Sequence, residues 1–132
     1  MMTDHAQTMM EKNRGFTRVA KAAYYSYKGL SYAWRNEAAF RQEAMAAMLL
    51  IPLALWLDVS RLECILLVAS VVFVIIVELL NTGIEAVVDR VGYERHELAG
   101  VAKDMGSAAV LVAIVLGFFV WLMILVPHSN WF

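Results

Sequence analysis

The segment IIVELLNTGIEAVVDR, from Ile75 to Arg90, starts in an apolar run and ends in charge. Within it Glu78, Asn81, Glu85 and Asp89 recur at spacings of three and four. At about 100° per residue they share a helix sector of about 80°. Thr82 adjoins that sector, while Leu79, Leu80 and Ile84 hold the opposite side. Counting about 20 residues inward from the preceding connector puts the membrane boundary near Asn81. Glu78 then lies in the last turn inside the hydrocarbon and Glu85 in the headgroup layer or beyond. An acid at mid-bilayer costs about 2.5–3.5 kcal/mol, less near the boundary. A carboxylate withdrawn from water also holds a proton more readily, which is what a general base needs. Glu85 is about 10 Å further along the axis, too far to share one proton with Glu78. The pair suits two jobs, one in the lipid layer and one at an aqueous site. The plainer alternative has Glu78 snorkelling and Glu85 and Asp89 solvated, paired with Arg90 or Lys103. Four aligned polar positions, in a setting where acids are usually functional, favour the chemical reading.

Two further clusters can complete a site. Arg35, Glu37, Arg41 and Glu43 enter the first apolar segment. Glu37 and Arg41 are also spaced for an i,i+4 ion pair, and spacing does not decide between the two uses. Glu94, His96, Glu97, Gly100, Lys103, Asp104 and Ser107 lead into the last apolar segment. Lys103 and Ser107 share a helix face, and a lysine beside acids suits a phosphate held near carboxylate-bound Mg²⁺. His96 alone is a weak signal, since a loop histidine is usually just solvated.

These residues need a scaffold, and composition sets its class. The chain has 132 residues, room for one domain. Its hydrophobic share is 61% and its charged share 17%, against about 45–50% and about 25% in soluble domains. A soluble core of this size cannot hide that much apolar surface, so the chain is expected in a membrane. The net charge of −1 gives no broad attraction to nucleic acid. Cys64, the 1 cysteine, lies in an apolar run and is read as a small hydrophobe.

Residues 1–14 are polar, without the apolar run of a signal peptide, and are expected to form a flexible tail. Over residues 15–35, Phe16, Ala20, Ala23, Tyr27, Leu30 and Trp34 make an apolar stripe. Arg18, Lys21, Tyr25, Lys28, Tyr32 and Arg35 oppose it, which suits a helix lying in the headgroup plane or one packed on its own protein. Spans are expected at about 38–57, 62–81 and 105–126. The first is long enough only if the polar residues after Phe40 face protein or snorkel; Pro52 is tolerable there. The expected fold is an all-α membrane protein, three transmembrane helices plus an N-terminal amphipathic surface helix, with residues 15–132 as a single domain. All but one of the 11 basic residues precede the apolar run of the first span, which begins at Ala44, or lie in the second connector; Arg61 is the exception. That bias sets the N-terminus in the cytoplasm and the C-terminus outside. Trp56, Trp121 and Trp131 fit as outer anchors and Trp34 as an inner one, or equally as packing aromatics.

Soluble nucleotide-binding signatures are absent: no P-loop, no Gly-rich kinase loop, no HExxH. Instead "ELLNTGIEAVVDR" fits E-x-[aliphatic]-N-[ST]-[small]-[aliphatic]-E-x-x-[VI]-D, and the chain resembles the prokaryotic diacylglycerol kinase family of small trimeric membrane kinases. "GFTRVAKAAYYSYKGL", "NEAAFRQE", "WLDV", "HELAG" and "AKDMGSAAVL" extend the likeness from Gly15 to about Val115. Gly83 departs from the usual Ala or Ser, and Val101 stands where some members carry a basic residue. The resemblance implies a homotrimer with sites between subunits at the cytoplasmic face of a bacterial inner membrane. It implies ATP-dependent, Mg²⁺-assisted phosphorylation of diacylglycerol to phosphatidic acid, a step of phospholipid metabolism. Glu78 would then be the general base and Glu37 and Glu85 the Mg²⁺ ligands. Lys103 and Asp104 would be the phosphate pair, and Arg18, Tyr25, Glu94 and His96 nucleotide contacts. Arg18, Glu78, Asn81 and Ser107 would line the lipid-substrate region, and Asp89 would be structural. An undecaprenol kinase of the same family is the near alternative. A small oligomeric channel or proton-relay subunit carrying its proton on Glu78 is the alternative of another class.

Overall fold

The computed structural model describes residues 4–91 and 97–126; Glu94, Arg95, His96 and Trp131 lie outside them. Among the described residues the regular structure is entirely α-helical. The chain divides into two compact units, Met1–Asn36 and Glu37–Phe132.

The first unit is one helix, α1 (Asp4–Asn36). It begins well before the expected start at residue 15, so the flexible tail expected over residues 1–14 is corrected. Polarity there does not mean disorder. Ala6, Gln7, Met9, Met10, Glu11, Lys12 and Arg14 are good helix formers, with no proline among them. Asp4 sits in the first turn, where a carboxylate complements the helix dipole. The Thr8 hydroxyl donates to the Asp4 carbonyl at 2.8 Å.

The second unit holds α2 (Ala38–Trp56), α3 (Arg61–Val91) and α4 (Glu97–Leu125). All 3 are long and apolar enough to cross a membrane. α2 buries Phe40, Ala47 and Ala54, one residue every two turns, on a single face. Pro52 sits inside it without ending it. Glu37 occupies the N-cap position in extended backbone (φ −115°, ψ 108°) and makes no side-chain capping bond, so its carboxylate is not spent on the helix end.

A tight turn joins α2 to α3, with Val59 N–H donating to the Leu57 carbonyl at 3.0 Å. Ser60 and Glu63 then form a reciprocal capping box: Glu63 N–H donates to Ser60 Oγ and Ser60 N–H to Glu63 Oε1, both at 3.1 Å. Cys64 Sγ donates to the Ala54 carbonyl at 3.5 Å across the same turn and is half-buried.

α3 is the central element, and α2 and α4 each pack against it. Its 31 residues make a rod of about 46 Å. That exceeds the hydrocarbon thickness of about 30 Å, so one continuous helix runs from lipid depth into water. Leu67, Ser70 and Val71 form its buried face in one half and Glu78, Asn81 and Thr82 in the other. α2 and α4 flank this face and leave an apolar groove between them. Trp121 lines the groove with its Nε1 buried and without a hydrogen-bond partner, which fits a packing aromatic better than an interface anchor.

Replacing Ser60 with alanine removes one half of the capping box. The expected cost is about 1 kcal/mol of stability, read as a lower midpoint in thermal or denaturant unfolding in detergent.

Candidate active site

The polar sector of α3 is the buried one. Glu78 is 3% exposed, Asn81 9% and Thr82 6%, while Leu80 next to them is 64% exposed. The helix is inside-out by the standard of a soluble protein. Apolar side chains face outward because hydrocarbon accepts them, and polar side chains turn toward protein because hydrocarbon offers them no hydrogen bonds. This is the face that periodicity marked.

Around Glu78 the electrostatics are those of crowded like charges. Glu37, at the start of α2, and Glu85, two turns along α3, both repel it. Glu43, one turn into the buried face of α2, also faces it and keeps its Oε2 buried without a hydrogen-bond partner. Glu43 shares that face with Phe40 and Ala47, at spacings of three and four. This helical spacing was the available signal that it turns inward; sequence reasoning named it only as part of the entry cluster.

Asn81 Nδ2 donates to Glu85 Oε1 at 3.5 Å. The other end of the amide, Oδ1, is buried and rests against Gly106 of α4, where an added Cβ would collide with it. Sequence reasoning missed Gly106. Its only signal was a glycine three residues after Lys103 and next to Ser107, and glycine is common in membrane helices. Thr82 Oγ1, a hydroxyl, is likewise buried with no hydrogen-bond partner.

On the α4 side, Lys103 Nζ pairs with Asp89 Oδ1 at 2.6 Å. The two side chains are 43% and 65% exposed, so the pair is a watery one and adds little to stability. Asp89 is thus engaged with Lys103. Asp104 and Ser107 are exposed on the same stretch of α4. Arg18 and Tyr25 lie on α1, in the first unit, both exposed; the Tyr25 ring meets that of Tyr24 with centroids 6.1 Å apart, and Lys28 Nζ lies 5.4 Å from the Tyr24 ring. The second unit therefore brings together Glu37, Glu78, Asn81 and Glu85, with Lys103 nearby on α4.

No group of three or more His, Cys, Asp or Glu side chains is placed to hold a metal ion among the described residues. The donor chemistry nevertheless fits Mg²⁺. This ion takes hard oxygen ligands and is usually held by one or two carboxylates, with water and substrate phosphate completing its shell. Glu37 and Glu85 offer those carboxylates, and a cation beside them would offset the mutual repulsion at Glu78. With a cation bound, such a cluster could accept a polyanionic ligand beside a buried carboxylate.

The comparisons with known proteins show the family of the chain. The family described as prokaryotic diacylglycerol kinase matches residues 24–125. A diacylglycerol kinase of Escherichia coli (strain K12) is 57% identical over 122 residues, covering 92% of this chain and 100% of that protein. Those of Haemophilus influenzae and Pseudomonas aeruginosa are 47% and 50% identical, covering 85% and 84% of this chain and 95% and 90% of theirs. The match takes in α2, α3, α4 and the polar face of α3, so the chain belongs to the prokaryotic diacylglycerol kinase family.

Proposed function

We propose that the protein phosphorylates 1,2-diacylglycerol to phosphatidic acid with ATP, at the cytoplasmic face of a bacterial inner membrane. The observation that carries this reading is the burial of Glu78 on the polar face of α3, two turns from Glu85. A diacylglycerol carries its free hydroxyl at the headgroup boundary, the depth at which counting along α3 sets Glu78. ATP is confined to water, the side on which Glu85, Lys103 and Asp104 follow.

Glu78 accepts the proton of the lipid hydroxyl as its oxygen bonds to the γ-phosphorus of ATP. The bond between that phosphorus and the β,γ-bridging oxygen breaks, and ADP leaves. Phosphoryl transfer of this kind depends on positioning and charge neutralisation. Glu37 and Glu85 would hold Mg²⁺, which when bound screens the phosphate oxygens. Lys103, an ammonium with three donors, can engage phosphate while keeping Asp89, and Asp104 sits beside it. Asn81 and Ser107 would line the acceptor region. Arg18 and Tyr25 of α1, with Glu94 and His96, would contact the nucleotide; this rests on the family resemblance alone. By the same resemblance α1 lies as an amphipathic helix on the membrane surface and three copies of the chain assemble. The basic residues put the N-terminus in the cytoplasm and the C-terminus outside.

The direct test supplies labelled ATP, Mg²⁺ and dioleoylglycerol in mixed micelles, with undecaprenol as rival acceptor. Labelled phosphatidic acid is the expected product; label only on undecaprenol would move the protein to the other branch of the family, and label on neither would overturn the kinase reading. Glu78→Gln should fold and bind nucleotide yet lose most of its turnover, by about 10²-fold or more; wild-type turnover in that variant would remove Glu78 as the base. Glu85→Gln should instead shift the Mg²⁺ dependence of the rate to higher concentration, and an unchanged Mg²⁺ titration would rule out its metal role.

A further inference from the structure

Glycine inside a helix costs about 0.5–1 kcal/mol relative to alanine, so its presence invites the question of what a methyl group would strike. Among the glycines of α4 the answers differ. A Cβ on Gly100 would meet nothing within 4 Å. One on Gly117 would touch Val74 Cγ2 at 4.0 Å, an ordinary contact. One on Gly106 would run into Asn81 Oδ1 and lie 3.3 Å from Asn81 Cγ. Only at Gly106 does the packing of α4 demand that the side chain be missing.

What it makes room for is a buried amide with a fixed direction. Asn81 is 9% exposed and its Nδ2 donates to Glu85 Oε1. Turned over, the amide would set its carbonyl oxygen against a carboxylate, a repulsive arrangement. The carbonyl end must therefore point away from Glu85, and in that direction lies α4. Gly106 is itself buried there.

We infer that Gly106 is a positioning residue: its missing side chain admits the carbonyl end of Asn81, which leaves the amide nitrogen to hold the Glu85 carboxylate in one orientation. The inference rests on the proposed function, because it assigns that orientation to the Mg²⁺ ligand of the kinase site. It adds a link from α4 to the metal side of the site that does not pass through Lys103. Residues that orient a metal-binding carboxylate typically alter metal affinity by about 10–100-fold when changed. Gly106 is expected to behave as one of them, through Asn81.

The test is a double-mutant cycle on the full-length protein, built from Gly106→Ala, Asn81→Ala and the double variant, with Gly117→Ala as packing control. Two readouts are taken. One is Mn²⁺ binding in the presence of a non-hydrolysable ATP analogue, followed by electron paramagnetic resonance. The other is the Mg²⁺ concentration for half-maximal rate beside kcat at saturating Mg²⁺. Gly106→Ala should weaken Mn²⁺ binding by about tenfold or more and raise the Mg²⁺ requirement, with kcat changed much less. In the Asn81→Ala background the same substitution should add nothing, since its only route of action is gone. Gly117→Ala should resemble the wild type. Additive losses, an equal loss in Gly117→Ala, or wild-type Mn²⁺ binding in Gly106→Ala would each overturn the inference. Should Gly106→Ala fail to fold, recovery of folding in the double variant supports the collision with Asn81, and continued failure overturns it. A wild type that transfers no phosphate to diacylglycerol would defeat the kinase reading, whereas the Mn²⁺ cycle still judges Gly106.

Discussion

Hydrocarbon gives a carboxylate nothing to bond to, and that constraint orders the second unit. Glu78, Asn81 and Thr82 sit on a helix that crosses lipid, so their face must be covered by protein. α3 is therefore the middle helix, and α2 and α4 are placed by what they must cover. The covering is incomplete in hydrogen-bond terms. Glu43 Oε2, Asn81 Oδ1 and Thr82 Oγ1 are buried without partners, and a buried polar group left unpaired costs about 1–3 kcal/mol. A fold tolerates several such atoms in one layer where that layer has another use, and here the layer surrounds Glu78.

Coverage of a polar face by a second helix needs close approach, and lipid supplies no hydrophobic drive for it. Small residues do that work. α4 buries Gly106 and Ala113 and turns Gly117 toward Val74 of α3. α2 contributes Ala47 and Ala54 to its buried face. The large apolar side chains of α4, such as Phe118, Phe119 and Leu122, are left outward. The pattern inverts the usual rule that bulk goes inside, because the solvent of these helices is itself apolar.

This inversion explains which parts of the molecule could be read from sequence. The polar sector of α3 was legible because four polar residues at helical spacing are conspicuous in an apolar background. The three spans were legible from length and composition, and among the described residues 3 helices satisfy both. Gly106 was not legible, since its significance is the side chain it lacks, and only the register of α4 against Asn81 gives that meaning. Glu43 was half legible: its spacing to Phe40 and Ala47 was available, but α2 has no strong polar face to draw attention to it. The start of α1 was misread because the apolar stripe fades before Gly15 while helix-forming residues continue back to Asp4. Periodicity reports an apolar face, and helix propensity can continue where that face stops. The Lys103–Asp89 pair was foreseen only as the plain alternative, because ion pairs between helices depend on register that spacing along one helix does not contain.

The length of α3 has a mechanical consequence. A kinase acting on a lipid must bring together a substrate dissolved in hydrocarbon and a cosubstrate confined to water, and the boundary between them is only a few ångströms deep. α3 carries Glu78, Glu85 and Asp89 on one unbroken helix. Their spacing along the axis is therefore fixed by helical rise, about 10 Å from the first to the second and about 6 Å from the second to the third. No loop intervenes to let Glu78 drift relative to Glu85 and Asp89. Burial changes along the same line, from Glu78 at 3% exposed to Asp89 with a side chain 65% exposed. A single rigid element thus grades from one solvent to the other. The helices beside it need only set the lateral position of what meets it: Glu37 from α2 and Lys103 from α4. That division of labour would account for the proposed site in a chain of 132 residues with no soluble nucleotide-binding scaffold.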